Sequence, residues 1–196
     1  DNCEAVGAKY KGNYLGTLGA IGIFSFDHGK IITSGEGGLI LTNKKKLLKY
    51  CKEYHDHGHE NNKNYPRGKD TRKIYGFNYR MTEIQGAIAG EQLKKLNKII
   101  RDNSLKFDAL KKIISPHFKT RVIPEGSECI NDTLIIFQDN KIKKEKIIKI
   151  LKKDQFGTKN LPDAMEWHCS FFWSHALNKK EIKKSKKTYK ILNNCI

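Results

Sequence analysis

The sequence lacks any long run of apolar residues, and its few cysteines are widely spaced. Without about 20 consecutive apolar residues, no segment is predicted to span a bilayer as a helix. The five cysteines are odd in number and include no Cys-x-x-Cys pair, which argues against a disulfide framework or a zinc site. These absences favour a reducing compartment, and we expect a cytoplasmic protein.

Arginine is also scarce, although the chain is strongly basic. Only five of the 38 basic residues are arginines, while the formal net charge is +17. Such a charge could indicate a nucleic-acid-binding or regulatory protein. Arginine is the residue suited to bidentate phosphate recognition, whereas the lysines here fall in pairs along polar helix faces. We therefore favour a solvated, lysine-biased surface and expect no nucleic-acid partner and no membrane partner.

One lysine differs from the others in its surroundings. Lys30 lies in residues 24–38, which read FSFDHGKIITSGEGG, between a β-rich run and a glycine-rich turn. The pattern predicts a strand before the lysine and a buried strand at 39–42 after it. A lysine enclosed by strands loses hydration, so we expect its pKa to fall. An amine that is unprotonated near neutral pH attacks carbonyl groups, which makes Lys30 the predicted catalytic residue.

Two further segments accompany the lysine segment 24–38: residues 1–8 (DNCEAVGA) and residues 76–85 (GFNYRMTEIQ). Together the three segments resemble the sugar aminotransferase (DegT/StrS) family of pyridoxal-phosphate enzymes. The resemblance implies the fold-type I α/β fold: the C-terminal part of a large domain at 1–95, a linking helix at 96–115 and a small α+β domain at 116–196. No start methionine precedes Asp1, and we interpret the chain as an internal piece of a longer enzyme.

The resemblance also implies roles for individual residues. Lys30 would bind pyridoxal 5′-phosphate through its amine and move the substrate proton. Asp1 would face the pyridine nitrogen and keep the ring cationic, so that the ring can accept electrons. Ser25 would bind the cofactor phosphate, and Asn78 would reach the phosphate in a neighbouring subunit, which implies a homodimer with shared active sites. Glu4 stands where the family often has a glutamine that contacts the phenolic oxygen of the cofactor.

The implied reaction is transfer of an amino group from an amino acid, with glutamate expected, to a keto sugar of surface polysaccharide or lipopolysaccharide. Residues 55–62 and 157–169 are similar to the branch that makes 8-amino-3,8-dideoxy-manno-octulosonate (8-amino-Kdo). Family members with a histidine in place of the lysine act as dehydratases, and that alternative stays open beside the aminotransferase. The presence of Lys30 favours amino transfer.

Two further groups of residues are candidates for a site. Histidines at alternate positions could share one face of a strand and hold a metal: His55, His57 and His59. The polar, glycine-containing surroundings instead favour a long surface loop near the substrate, and we predict no metal.

Arg80 and His168 are candidate substrate-binding residues. A packed aromatic cluster with the rings at 171–173 explains His168 equally well.

Local signals predict most of the remaining elements. They comprise a hairpin turn at 11–13, a helix at 44–54 capped by Asn43, a Thr82-Gln85 capping box followed by helical runs to 95 and from 96 to 114, strands at 121–123 and 133–138, and helices at 141–153 and 178–192.

Overall fold

The computed structural model describes residues 1–158 and 161–196. Contacts along the chain define two compact units, one formed by Asp1–Ser104 with Pro124–Ile130 and one by Leu105–Ile123 with Asn131–Ile196. The division falls inside the linking helix predicted at 96–115. The domain limits of the enzyme, at residues 95 and 115, stay a prediction.

The described residues form short strands and six helices. The strands are β1 (Lys9–Tyr10), β2 (Asn13–Tyr14), β3 (Gly22–Ser25), β4 (Gly38–Leu41), β5 (Lys119–Thr120), β6 (Ser127–Glu128) and β7 (Ile136–Phe137). The helices are α1 (Lys45–Tyr54), α2 (Glu83–Ile114), α3 (Lys141–Lys153), α4 (Met165–His168), α5 (Lys179–Lys184) and α6 (Lys186–Leu192).

The first unit opens with the predicted hairpin. Strands β1 and β2 pair antiparallel, and β6 adds to the free side of β1. Lys11 and Gly12 have φ values of 48° and 77°, and two positive φ angles in a two-residue turn match the twist of the flanking strands. The hairpin prediction is confirmed, whereas β6 was not foreseen.

Strands β3 and β4 flank the lysine segment and pair antiparallel, from Gly22 opposite Leu41 to Ser25 opposite Gly38. The prediction that the second strand is buried is wrong. Leu39 and Ile40 are 43% and 47% exposed, because within the described residues β3 and β4 form a sheet of two strands only. A run of apolar residues indicates a strand, but it does not show which neighbours cover it.

The core of the first unit lies directly behind the lysine segment. Val6, Ile32 and Leu96 form a buried cluster, and Phe24 and Ile100 are among the residues that pack on it. Ile32 is only 1% exposed. The hydrophobic effect therefore fixes the chain two residues after Lys30 against α2.

Helix α2 is one continuous element of 32 residues, where the sequence suggested two helical runs. Its predicted capping box is confirmed: the Gln85 backbone N–H donates to Thr82 Oγ1 (3.3 Å), and the Thr82 N–H donates to Gln85 Oε1 (3.0 Å). At about 1.5 Å per residue the helix is about 48 Å long. Even so, neither α2 nor any other helix within the described residues has the apolar stretch that crossing a bilayer requires.

Helix α1 begins one residue later than predicted. Lys44 occupies the N-cap position and makes no side-chain cap, so the assignment of that role to Asn43 is wrong. Thr42 Oγ1 instead accepts a hydrogen bond from the Lys44 N–H at 3.1 Å. The position of a side-chain cap can differ by a residue from the one expected. Here the Thr42 hydroxyl, rather than the Asn43 side chain, bonds a backbone N–H at the start of the helix.

The second unit combines helices with the small β5–β7 pair. Helix α3 is confirmed, with Asn140 as its N-cap. Asn178 and Glu181 form a capping box at the predicted start of the last helix, but that helix, expected at 178–192, is divided at Ser185 into α5 and α6. The strands foreseen at 121–123 and 133–138 are shorter and shifted, because the β5–β7 ladder covers only Lys119–Thr120 and Ile136–Phe137. The Arg121 N–H still donates to the Ile135 carbonyl at 3.2 Å, just beyond the ladder.

Candidate active site

The turn that carries Lys30 is held by its own backbone as well as by the core behind it. The Lys30 N–H donates to the Asp27 carbonyl at 3.1 Å, and the Gly29 N–H donates to Asp27 Oδ1 at 2.9 Å. The latter bond lowers the pKa of the Asp27 carboxyl. With Ile32 buried on the other side, the position of the lysine is fixed along the chain.

The Lys30 amine is paired with a carboxylate. Its Nζ donates to Glu4 Oε1, and the lysine side chain is only 17% exposed, so the amine does not lie in bulk water. The hydrogen bond that Lys30 donates to Glu4 raises the pKa of Lys30 and outweighs the opposite effect of burial. The prediction that the pKa falls is therefore wrong for this arrangement, because it considered desolvation and omitted a partner 26 positions away.

Residues 1–4 form a turn beside strand β3. The Asp1 side chain is exposed, and its Oδ1 accepts the Cys3 N–H at 3.0 Å. The Asn2 N–H donates to the Ile23 carbonyl at 3.0 Å, which fastens the turn to the strand. The structure thus brings the Asp1 segment and the lysine segment together through Asn2 and Glu4.

Ser25 is the last residue of β3 and lies five positions before the lysine. It is half-buried, and its Oγ accepts the Asp27 N–H at 3.3 Å. The Ser25 hydroxyl therefore lies beside the lysine turn. A hydroxyl that accepts one hydrogen bond can also donate its proton to a ligand.

The third segment of the family pattern reaches the lysine turn through Met81. A Cβ built on Gly37 would lie 2.9 Å from Met81 Cε, the flexible end of that side chain, so the two segments are in contact here. The φ of +136° at Gly37 is itself a conformation that favours glycine. Asn78 and Arg80, just before Met81, are both exposed. The Arg80 N–H donates to Asn78 Oδ1 at 3.4 Å.

A buried carboxylate organises the loop that precedes this segment. Asp56 is 5% exposed and accepts hydrogen bonds from Arg67 Nη1 at 2.8 Å and Arg80 Nη1 at 2.5 Å. The hydrogen bond from Arg67 has the largest effect on the pKa of the Asp56 carboxyl, and Arg80 acts in the same direction. Together the two guanidinium groups hold this pKa well below its usual range. Arg80, the candidate substrate residue, is thus already engaged by an acid, although 41% of its side chain remains exposed.

Two of the three histidines of this loop contact polar groups of their own, and the ring of His57 lies edge-on to that of His59 at 6.4 Å. His55 Nδ1 lies 2.6 Å from the Lys52 carbonyl, while His59 is buried between Asp70 (Nδ1 to Oδ2, 3.3 Å) and Arg72 (Nε2 to Nη2, 3.2 Å). The loop is therefore ordered by ion pairs and hydrogen bonds. Sequence reasoning missed this network; the alternation of acidic and basic residues between 56 and 73 is the signal that could have found it.

Two glycines let the start and the end of this loop touch through their backbones. A Cβ on Gly58 would lie 2.0 Å from the Ile74 carbonyl oxygen, and one on Gly76 would lie 2.4 Å from the Tyr54 oxygen. The Phe77 N–H donates to that Tyr54 oxygen at 2.8 Å. The segment that carries Asn78 is thereby locked to the end of α1.

This close approach gives a stability prediction. Gly58→Ala is expected to destabilise the full-length protein by roughly 2–5 kcal/mol, the sum of left-handed strain (about 1–2 kcal/mol) and overpacking (about 1–3 kcal/mol). Gly12→Ala is the matched control, since its φ of +77° is nearly the same as the +79° of Gly58 but nothing lies within 4 Å. Chemical unfolding measures both variants, and equal losses would contradict the packing described above.

His168 lies in the second unit, at the end of α4, and is exposed. Its ring is 6.5 Å from that of Trp167, which is 79% exposed. The neighbouring rings do form a packed cluster, with Phe171 stacked 4.5 Å from Tyr189. Of the segment at 157–169 compared with the 8-amino-Kdo branch, residues 159 and 160 lie outside the described residues.

Comparison with solved structures identifies the fold. The aminotransferase of Psychrobacter cryohalolentis superposes with a TM-score of 0.72 at 24% identity, over 100% of this chain and 54% of that one. The E. coli GDP-4-keto-6-deoxy-D-mannose-3-dehydratase with bound hydrated PLP gives a TM-score of 0.66 at 24% identity, over 79% and 43%. The fold is therefore the α/β fold of the pyridoxal-phosphate aminotransferases, as predicted.

Sequence comparison narrows the class to a family. Residues 1–193 match the sequence model of the DegT/DnrJ/EryC1/StrS aminotransferase family, and the chain belongs to that family. The GDP-perosamine synthase of E. coli O157:H7 is 40% identical over 115 residues, which are 59% of this chain and 30% of the relative. The chain thus covers only part of these proteins: 30% of the GDP-perosamine synthase and 54% of the P. cryohalolentis aminotransferase.

Proposed function

We propose that the chain contains the lysine-bearing part of a pyridoxal-phosphate-dependent aminotransferase that transfers an amino group from an amino acid to a keto sugar. The observation that carries the proposal is the Lys30 amine, shielded from bulk solvent and held at the point where the three family segments meet. Glutamate is the proposed amino donor, as the family resemblance implies.

The side chains near Lys30 fit the cofactor chemically. An aldehyde needs an amine, a pyridine nitrogen needs an acid, and a phosphate needs neutral or cationic donors. Lys30, Asp1 and Ser25 supply the amine, the carboxylate and a hydroxyl from segments that are linked by the Asn2 and Glu4 contacts. Asn78 would supply an amide N–H to the phosphate of a second subunit. When bound, the cofactor supplies an electron sink for the substrate carbon.

Proton movement is the part of the reaction assigned to the chain itself. The Lys30 Nζ would take a proton from the substrate carbon and return it, acting as general base and then as general acid. Glu4 accepts a hydrogen bond from that Nζ, and its side chain is 58% exposed. The carboxylate therefore lies between the enclosed amine and solvent. Glu4 therefore sets how readily Lys30 gives up its proton.

This arrangement predicts a pH effect of Glu4. Because Glu4 raises the pKa of Lys30, little of the amine is unprotonated at neutral pH, and below the pKa the reactive fraction grows about tenfold per pH unit. Glu4→Gln removes the pairing charge, so cofactor loading of the apo-protein should become several-fold faster near pH 7. The rate at which the visible absorption of the bound cofactor appears, followed from pH 7 to 10, measures the shift.

Glu36→Gln is the control for that experiment. Glu36 is an exposed carboxylate of the same glycine-rich turn, and its carbonyl, not its acid, accepts the bond from Ser34. Its profile should follow the wild type. A Glu4→Gln profile that coincides with the wild type would show that the carboxylate does not control the amine.

A homodimer is proposed on the basis of an exposed aromatic cluster around Asn78. Five rings lie within 6.3 Å of a neighbour: Tyr50, Tyr54, Tyr75, Phe77 and Tyr79. Tyr75 is 78% and Tyr79 65% exposed, and contiguous exposed apolar surface of this kind marks interaction sites. A second copy that covers these rings would also receive Asn78.

The identity of the acceptor sugar is the most specific part of the proposal. Similarity to GDP-perosamine synthase supports a nucleotide-linked keto sugar, while the residues at 55–62 support the narrower hypothesis of 8-amino-Kdo formation. We propose the nucleotide-linked sugar first. The full-length protein is assayed with glutamate against GDP- and UDP-linked keto sugars and against Kdo oxidised to an aldehyde at C8. Mass spectrometry of the amino product identifies the acceptor.

A sugar dehydratase is the second candidate, favoured by the fold shared with the E. coli 3-dehydratase. Lys30 argues for amino transfer, because an amine can carry the cofactor covalently and an imidazole cannot. The same assay separates the two, since a dehydratase yields a deoxy keto sugar without nitrogen in the product.

A further inference from the structure

The segment that carries Asn78 is paired with the segment that carries Asp56. These two residues form an antiparallel bridge. On either side of it, the His57 N–H donates to the Phe77 carbonyl at 3.0 Å and the Tyr79 N–H donates to the His55 carbonyl at 2.9 Å.

The side chain of Asp56 adds a second tie to the same segment. Both of its oxygens bind Arg67, and Oδ1 also accepts Arg80 Nη1 at 2.5 Å, two residues beyond Asn78. Asp56 is 7% exposed at its side chain, while its arginine partners are 55% and 41% exposed. The buried Asp56 therefore holds the exposed Asn78 segment at two points, through the backbone bridge to Asn78 and through the Arg80 guanidinium.

We propose that Asp56 is a positioning residue that aims Asn78 at the cofactor phosphate of a second subunit. The inference rests on the proposed function, because it requires a shared active site between two copies of the chain. Asp56 itself touches neither substrate nor cofactor. Its role is to keep the amide of Asn78 outward and rigid, which lowers the entropy lost when the phosphate is bound.

Asp56→Asn in the full-length protein gives the first test. Replacing a residue that orients a metal ligand typically costs about 10- to 100-fold in metal affinity, and by analogy we expect cofactor affinity to fall within that range while circular dichroism stays native-like. Arg67→Gln is the second variant, since it loosens Asp56 at an exposed side chain without touching residues 77–80. It should weaken cofactor binding in the same direction, by less.

Glu60→Gln is the matched control. It also removes a carboxylate from this loop, where Glu60 accepts from Thr71 Oγ1 at 2.6 Å and pairs with Lys73 at 2.9 Å, but neither contact involves the Asn78 segment. Cofactor affinity should remain at the wild-type level. A loss as large as that of Asp56→Asn would mean that any damage to the loop has the same effect, and would overturn the inference.

Mixed dimers show whether Asp56 acts across the subunit boundary. A dimer of one Lys30→Ala and one Asp56→Asn subunit should regain one intact site, because the Asp56→Asn subunit keeps its lysine and receives a well-placed Asn78 from the other. One of the two visible absorption signals and the matching activity should return. A purely local role of Asp56 would leave both sites defective.

The pair of Lys30→Ala with Asn78→Ala separates this inference from the proposed function. If that pair regains a site and the Asp56→Asn pair does not, Asp56 is not the positioning residue, and the shared-site aminotransferase stands. If neither pair regains a site, the shared site is wrong and the inference falls with it. Recovery in both pairs supports both.

Discussion

Lys30→Ala is expected to lower amino transfer by at least about 10³-fold, because general acid–base catalysis alone contributes 10²–10⁴-fold and covalent attachment of the cofactor is lost as well. The full-length variant should also lose the visible absorption of the lysine-bound cofactor. Steady-state transfer rates and an absorption spectrum of the same preparation measure the two effects together.

Lys98→Ala is the matched control for this substitution. Lys98 is also in the first unit, but its side chain is 70% exposed and its Nζ donates to Asp102 at 2.6 Å. An exposed pair of this kind contributes about 0–1 kcal/mol to stability. The control should keep both activity and colour. Residual transfer in Lys30→Ala within tenfold of the wild type would remove this lysine from the chemistry.

Asp1→Asn is expected to give the second largest loss. If Asp1 faces the pyridine nitrogen, the variant loses an ion pair worth about 4 kcal/mol at an effective dielectric constant near 20. That free energy corresponds to about 10³-fold in rate. The loss should appear mainly in kcat, since the electron sink matters most in the transition state.

The Asp1 variant also tests the local structure. An asparagine side-chain oxygen can still accept the Cys3 N–H that the Asp1 carboxylate accepts at 3.0 Å, so the turn at residues 1–4 should persist. Unchanged unfolding with a large fall in kcat supports an electronic role. A fall in stability with unchanged kcat would assign Asp1 to the turn instead.

Local chemistry explains why several elements were predictable. The capping boxes of Thr82 with Gln85 and of Asn178 with Glu181 are complete within four residues, so the sequence contains all of their partners. The Lys11-Gly12 turn is equally local. The membership of Lys30, Asn78 and their neighbours in recognisable segments made the family predictable as well.

The features that could not be predicted depend on contacts between residues that are far apart in the sequence. The Glu4–Lys30 pair spans 26 positions and reverses the expected pKa shift of the lysine. The Asp56–Arg80 pair spans 24 positions and orders a loop that has no periodic pattern. Strand β4 shows the same limit, because its apolar residues specify a strand but not whether another element covers it.

Borohydride reduction of the cofactor-loaded, full-length protein tests the central claim most directly. Reduction fixes the cofactor on the amine that carries it, and peptide mass spectrometry then locates the added mass. The structure predicts a single phosphopyridoxyl group, on Lys30. Label on another lysine, or no label in a protein that binds the cofactor, would contradict the assignment of Lys30 as the catalytic amine.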